Sequence, residues 1–317
     1  MLNGELSSEY SDVINSVIDS ISKYYVGNRK SVEIILGTIL SSGHVLIEDF
    51  PGIGKTFLAK LFSSALGIKF SRIQFTPDLL PGDITGTKIY KQSSGTFEIA
   101  RGPIFANVIL ADEINRAPPK TQSALLEAME ESQATIEGET IHLQKPFVVI
   151  ATQNPIEFQG TYPLPEAELD RFMVRISLGY PDDRTLLQRR ISWENDDPSS
   201  SIEPLMNADK INEIRRYLET GITVSSEILD YISSFSAIRK DGRVLAGPSP
   251  RGLISALRLS RAVALLRGRD FISPDDVKEV APFVLSHRIV VKPDVLFEEK
   301  TGQSIVQEYL GKLEVPK

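Results

Sequence analysis

Pro51-Gly52-Ile53-Gly54-Lys55-Thr56 and, downstream, Val108-Ile109-Leu110-Ala111-Asp112-Glu113 decide how this chain folds. The first stretch is a loop suited to wrapping phosphates. The apolar run His44–Glu48 precedes it and a helical pattern, Thr56–Leu66, follows. From Asp49 to Thr56 it follows G-x-x-x-x-G-K-[ST], with Asp49 in place of the first Gly. Gly52 and Gly54 carry no Cβ, so backbone N–H groups can converge on an anion at a helix N-terminus. Lys55 then reaches the β and γ phosphates, and the Thr56 hydroxyl is placed to ligate Mg2+. The alternative, a Gly-Lys-Thr that only caps a helix, leaves the acidic strand unexplained.

Asp112 and Glu113 close a strand whose other members are apolar. Two carboxylates at a strand end near phosphates divide naturally, Asp112 holding Mg2+ through water and Glu113 polarising the attacking water. The competing reading, two solvated loop acids, fits poorly with the apolar run before them. Asn154 ends the next strand, Phe147-Val148-Val149-Ile150-Ala151-Thr152-Gln153-Asn154. A neutral amide there can orient the lytic water without competing for the metal. Taken alone, Asn154-Pro155 would be only a turn.

Outward from these motifs, short β-branched runs at His44–Glu48, Phe70–Phe75, Asn107–Ala111, Phe147–Ala151 and Phe172–Leu178 alternate with helical patterns, notably Thr56–Leu66 and Lys120–Glu131. Apolar strands separated by helices predict an α/β fold with a parallel sheet covered on both faces. Two amphipathic helices, Ser8–Tyr24 and Asn28–Ser41, come first. Residues 81–101, punctuated by glycines, and residues 133–146, alternating around Glu137-Gly138, predict two protruding hairpins. After Pro181 the strands are expected to stop. Trp193–Pro204, rich in Asp, Ser and Pro, predicts a linker. Helical periodicity then takes over at Ala208–Leu218, Ser226–Ile238, Pro250–Leu266 and Pro274–His287. The last is signposted by Ser273 as N-cap, Pro274 at the first position and acids Asp275 and Asp276 in the first turn. The expected division is therefore residues 1–192 as a P-loop core, 193–204 as a linker and 205–317 as a helical domain.

Composition bounds the rest. With 317 residues, 41% of them hydrophobic and 24% charged, the chain can build two cores. A net charge of −7 argues against a protein that coats duplex nucleic acid. The absence of cysteine excludes disulfides, thiolate metal sites and cysteine nucleophiles. No apolar run reaches the ~18 residues that cross a bilayer, and Met1-Leu2-Asn3-Gly4-Glu5 lacks the regions of a signal peptide. The expected location is cytoplasmic, without membrane insertion. His44, His142 and His287 are scattered and do not make a zinc spacing. The charged run Arg184–Arg190 is either a solvated helix face or a subunit contact. No guanine-reading Asn-Lys-x-Asp tetrad occurs, which counts against a GTPase, although Asp83-Ile84-Thr85-Gly86 mimics another GTPase motif.

Longer runs carry a more specific resemblance. They are Gln74-Phe75-Thr76-Pro77-Asp78-Leu79-Leu80-Pro81-Gly82-Asp83-Ile84-Thr85-Gly86, Gly102-Pro103-Ile104-Phe105-Ala106-Asn107, Ala111-Asp112-Glu113-Ile114-Asn115-Arg116-Ala117-Pro118-Pro119-Lys120-Thr121-Gln122, Ala151-Thr152-Gln153-Asn154-Pro155 and Gly160-Thr161-Tyr162-Pro163-Leu164-Pro165-Glu166-Ala167-Glu168-Leu169-Asp170-Arg171-Phe172. Together they resemble the MoxR family of AAA+ ATPases from about Val26 to Pro181. A looser match in the helical region is anchored at Gly247-Pro248-Ser249-Pro250-Arg251. The resemblance implies a five-stranded parallel sheet between helices with an all-helical lid, assembled as a homo-oligomeric, commonly hexameric ring. It implies that Arg171 is an arginine finger presented to a neighbouring subunit and that Arg251 is a lid arginine sensing nucleotide. The bland alternatives are a salt bridge at a strand start and an exposed helix-start arginine. Val26-Gly27 resembles the family's adenine-contacting turn, with Asn28 where Gln is usual. The nucleotide-binding set so expected is Val26, Gly27, Pro51, Gly52, Ile53, Gly54, Lys55, Thr56 and Phe57. ATP or ADP with Mg2+ are the cofactors, the metal being held through Thr56 and Asp112.

Family members act as chaperone-like remodellers, often with a von Willebrand factor A domain protein, so the resemblance implies an ATP-hydrolysing motor that activates a partner complex. No dedicated substrate-recognition domain is expected beside core and lid. Two other readings stay open. One is a nucleotide-gated scaffold with negligible turnover, separable by phosphate release. The other is a DNA-directed motor, against which the acidic balance weighs.

Overall fold

The structure, a computed structural model, describes residues 2–93, 95–155, 160–192, 202–293 and 301–316. Helices α1 (Leu2–Tyr24) and α2 (Arg29–Leu40) open the chain. Ile14, Val17, Ile18 and Ile21 repeat at three- and four-residue spacing and are buried along one stripe of α1. The Asn28 side chain caps α2 by accepting from the N–H of Lys30 at 2.8 Å.

The α/β core follows as β1 (Val45–Glu48), α3 (Lys55–Ala65), β2 (Phe70–Gln74), α4 (Pro81–Thr85), β3 (Gly86–Lys91), β4 (Thr96–Arg101), β5 (Val108–Asp112), α5 (Pro119–Glu131), β6 (Gln133–Ile136), β7 (Glu139–His142), β8 (Val148–Gln153), α6 (Glu166–Leu169) and β9 (Val174–Ile176). Five of these strands form the expected parallel sheet in the order β2-β5-β8-β1-β9. Alternation along the strands splits their apolar residues between two clusters. Val45, Ile47, Val108, Leu110, Val148 and Ile150 join the helices α1, α2 and α3. Leu46, Ile109, Ala111, Val149 and Ala151 join α5. Burial on both faces explains why β5 and β8 read as unbroken apolar runs.

The segment 81–101 is not all hairpin. It starts as helix α4, with Pro81 in its first turn and the Asp83 carboxylate accepting from the N–H of Leu80 at 2.9 Å. The β3–β4 hairpin then spans Gly86–Arg101, and β6–β7 is the second expected hairpin. Strand β9 is shorter than its apolar pattern, because the N–H groups of Leu178 and Gly179 turn to Asp49 instead of to a strand.

Beyond the core stand α7 (Asp183–Ser192), α8 (Ala208–Thr220), α9 (Ser226–Ser234), β10 (Val244–Ala246), α10 (Pro250–Leu266), α11 (Pro274–Leu285), β11 (Val290–Val291) and α12 (Gly302–Lys312). Strands do not stop at Pro181: β10 and β11 form a small antiparallel pair, too short to leave a sequence period. Two helices end in tighter 3-10 turns, Phe235–Lys240 and Ser286–Arg288, before the ends expected from periodicity. Of the expected linker, residues 193–201 lie outside the described residues. The lid packs directly on the core. Gly37 of α2 lets Leu259 of α10 approach to where a Cβ would meet its side chain at 3.1 Å. One apolar cluster runs from α1, α2 and α3 into α8, α10 and α11. No helix among the described residues is long and apolar enough to cross a membrane.

Candidate nucleotide site

The loop between β1 and α3 turns on two glycines in the left-handed region, Gly52 at φ +86° and Gly54 at φ +89°. A Cβ at either would meet nothing within 4 Å among the described residues. Helix α3 starts at Gly54 with no side-chain cap, and the positive end of a helix dipole at such a loop favours an anion. The Lys55 ammonium donates to the carbonyl of Asp49. Burial pushes its pKa down, and the carboxylates of Asp49, Asp112 and Glu113 oppose that shift.

Asp49 stands where the P-loop pattern has Gly, yet it is absent from the positive-φ residues, so the turn there needs no glycine. It is buried, and its Oδ2 accepts from Ser177 Oγ at 3.1 Å, from the Gly179 N–H at 3.2 Å and from the Leu178 N–H. Asp49 thus ties the loop to the chain leaving β9.

The facing wall comes from β5 and its neighbours in the sheet. Register sets Gln74 beside Asp112. The Asp112 carboxylate receives the Thr152 hydroxyl at Oδ1, 2.7 Å, and Arg72 at Oδ2, 2.6 Å. Thr152 Oγ1 in turn accepts the N–H of Glu113 at 2.9 Å. Glu113 holds a left-handed backbone, φ 56° and ψ 51°, which costs roughly 1–2 kcal/mol for a residue with a Cβ. Backbone held in this region persists only where the surrounding structure fixes it, as it does at strained turns and functional sites. The Glu113 carboxylate is held by the amide of Gln74 at 3.1 Å and by Arg116 at 3.2 Å.

The two walls enclose a cleft of about 450 Å3. Pro51, Gly52, Gly54, Lys55, Thr56 and Phe57 line it from the loop side, and Asp112, Glu113 and Asn154 from the strand side. Ile53 points into the apolar core. Val26 and Gly27 do not line the cleft, and Gly27 lies under the Tyr25 ring, where a Cβ would come within 2.3 Å of it. Asn28 is occupied as the α2 cap. Mg2+ fits the donors present: the Thr56 hydroxyl and Asp112 carboxylate are hard oxygens sharing one cleft. No cluster of three or more His, Cys, Asp or Glu occurs among the described residues.

Arg171 and Arg251 stand elsewhere. They line a second cavity, of about 770 Å3, where they grip one carboxylate. Arg171 Nε lies 3.2 Å from Glu130 Oε2 and Arg251 Nη2 lies 2.5 Å from Oε1. Lys145, Arg215, Arg216 and Arg258 also line it; among the described residues the acids that line it are Glu130, Asp170 and Glu219. Sequence reasoning missed Arg72, Gln74, Thr152 and Glu130. Arg72 and Gln74 sit two apart on one strand, so the polar alternation Arg72-Ile73-Gln74 was the available signal. Gln74 and Thr152 both lay inside quoted runs without a role of their own, and nothing in the sequence distinguished Glu130 on its helix.

A phosphate loop on the central sheet, an acidic end on β5, an amide beyond β8 and a helical lid are the marks of the AAA+ class of P-loop proteins. Residues 44–174 match the family described as ATPase family associated with various cellular activities, and residues 236–309 match the AAA lid domain. YeaC of Bacillus subtilis, itself uncharacterized, is 42% identical over 96% of this chain and 95% of its own. Chaperone MoxR1 of Mycobacterium tuberculosis is 39% identical over 96% of this chain and 82% of its own. A crystal structure of a candidate ATPase from Cytophaga hutchinsonii superposes with a TM-score of 0.91, at 40% identity, over 99% of this chain and 98% of that one. The chain belongs to the MoxR family of AAA+ ATPases.

Proposed function

We propose that this chain is an ATP-hydrolysing, chaperone-like motor that works as a homo-oligomeric ring, of six copies by family resemblance, and remodels a partner protein complex in the cytosol. The observation that carries this reading is the separation of two half-sites. Lys55, Thr56, Asp112, Glu113 and Asn154 share one cleft, while Arg171 and Arg251 lie outside it on a cation-rich face. A triphosphate held in the cleft of one copy would meet both arginines only from a neighbouring copy.

In this reading the α3 N-terminus and Lys55 bind the phosphates, and Thr56 and Asp112 hold the metal. Mg2+, when bound, neutralises charge on the β and γ phosphates. Glu113 orients a water and takes its proton, once its carboxylate leaves Gln74 and Arg116. Asn154 holds that water in line. Arg171 of the adjacent copy neutralises the transferring phosphoryl group, an effect on the order of 10³–10⁵ in rate where a finger acts in trans.

Glu113→Gln is expected to bind ATP and abolish turnover, whereas Lys55→Ala weakens binding itself. Hydrolysis by Glu113→Gln at the wild-type rate overturns the assignment of the base. The engagement of Glu113 by Gln74 and Arg116 gives the scaffold reading its one support, and steady-state phosphate release from the assembled protein decides between them. The client is expected to be a partner such as a von Willebrand factor A domain protein, retained when Glu113→Gln is captured with ATP.

A further inference from the structure

The lid grips the arginine-bearing turn of the core through one side chain. Arg288, in the 3-10 turn after α11, has a side chain only 2% exposed. Its guanidinium spreads across the backbone on both sides of Arg171. Nε donates to Asp170 Oδ1 at 2.6 Å, and Nη2 donates to the carbonyls of Asp170 at 2.9 Å and Phe172 at 2.7 Å. Nη1 reaches the carbonyls of Met173, at 3.2 Å, and Val284. The same Asp170 carboxylate accepts the hydroxyl of Ser249 at 2.9 Å, and Ser249 caps α10 by accepting the Gly252 N–H at 3.1 Å. Arg251 lies inside that capped turn. Gly252 closes on the aliphatic stem of Arg288, where a Cβ would stand 2.6 Å from Cδ.

A guanidinium buried to this degree carries a desolvation penalty that an apolar residue of equal volume would avoid. What it gains is spatial. A planar fork can satisfy several carbonyls at fixed angles, whereas an ammonium acts as a point charge. Three of the four carbonyls belong to residues 170, 172 and 173, so the fork sets the backbone from which Arg171 projects. Through Asp170 and Ser249 it also seats the α10 turn that carries Arg251.

We propose that Arg288 is a positioning residue for the two arginines offered to the neighbouring subunit, joining the core turn of Arg171 and the lid turn of Arg251 into one rigid unit. The inference rests on the reading that both arginines act in trans. Movement of the lid then moves the finger, and loss of the fork leaves each subunit able to bind ATP but unable to complete its neighbour's site.

Subunit mixing tests this. Glu113→Gln keeps intact arginines beside a dead pocket; Arg288→Lys keeps an intact pocket beside misplaced arginines. Each alone is expected to lose turnover, Arg288→Lys by about 10²-fold as small misplacements do, with ATP binding retained. Mixed, they should regain activity well above either alone. Arg171→Ala mixed with Glu113→Gln is the control. Regain in the control without regain for Arg288→Lys overturns the proposal, as does wild-type turnover by Arg288→Lys alone. No regain in either mixture overturns the trans reading itself, and this inference with it. If Arg288→Lys does not fold, Gly252→Ala, which crowds the stem while keeping the charge, goes through the same mixing with the same criteria.

Discussion

Arg72 Nη2 stands 2.6 Å from Oδ2 of Asp112, the carboxylate assigned to the metal. The other oxygen, Oδ1, already accepts the Thr152 hydroxyl at 2.7 Å. Both oxygens are therefore engaged before any ion arrives. The Arg72 side chain is 47% exposed, so the pair contributes at most about 1 kcal/mol, roughly a fivefold change in an equilibrium. Arg72→Ala should lower the Mg2+ concentration for half-maximal hydrolysis by up to that factor at saturating ATP. A requirement that rises instead would mean that Arg72 binds phosphate.

Glu130 holds Arg171 and Arg251 together, although its own side chain is 41% exposed. If the two arginines act on a neighbouring copy as proposed, this carboxylate would compete with that copy's phosphates for the same guanidiniums. Glu130→Gln should therefore lower the protein concentration at which ATP hydrolysis reaches half its maximum, on the order of two- to tenfold for two partly exposed pairs. Thermal unfolding should change little. A higher concentration requirement would show that Glu130 orients the arginines for their task.

The sheet and the phosphate loop were legible because their signals are local. Apolar runs such as Val108–Ala111 reflect burial on both faces, and Gly52 and Gly54 mark a turn that only glycine takes freely. The second cavity was not legible. Glu130, Asp170, Arg251 and Arg288 lie on separate elements, and only folding brings them together. Arg251 was placeable as a lid arginine by resemblance, but nothing in the sequence says that it shares a carboxylate with Arg171. The β10–β11 pair escaped for a different reason, since two or three residues cannot establish a period.

Asp49 illustrates a position at which pattern and structure diverge. A glycine there would satisfy the P-loop pattern and would remove the acceptor for Ser177 Oγ and for the N–H groups of Leu178 and Gly179. Hydrogen bonds to a charged group contribute about 1.5–3 kcal/mol, and a buried N–H left without a partner is costly. Asp49→Gly should lower the unfolding free energy in urea by about 2 kcal/mol, at an unchanged m value. Equal stability would show that water replaces the carboxylate and that the tie between the loop and the end of β9 is dispensable.

His44 makes stability depend on pH. Its Nδ1 accepts the Val149 N–H at 2.9 Å, so the Nε2 proton faces the Met129 carbonyl at 3.2 Å and the ring is neutral. Burial lowers its pKa from 6.5 to about 4, against the pull of the Met129 carbonyl and with a smaller push from Arg215. His287 is driven the same way, again chiefly by burial. Between pH 6.5 and pH 4 the unfolded chain binds a proton at His44 that the folded chain refuses, so stability is complete above pH 6.5 and is lost as pH falls through this window. His44→Gln should therefore flatten the dependence of unfolding free energy on pH across that range by up to about 1.4 kcal/mol per pH unit relative to wild type. The comparison cancels the carboxylates and His287, which titrate in both proteins. Parallel curves for the two proteins would mean that His44 takes up its proton in the folded state, with the Val149 N–H finding another acceptor.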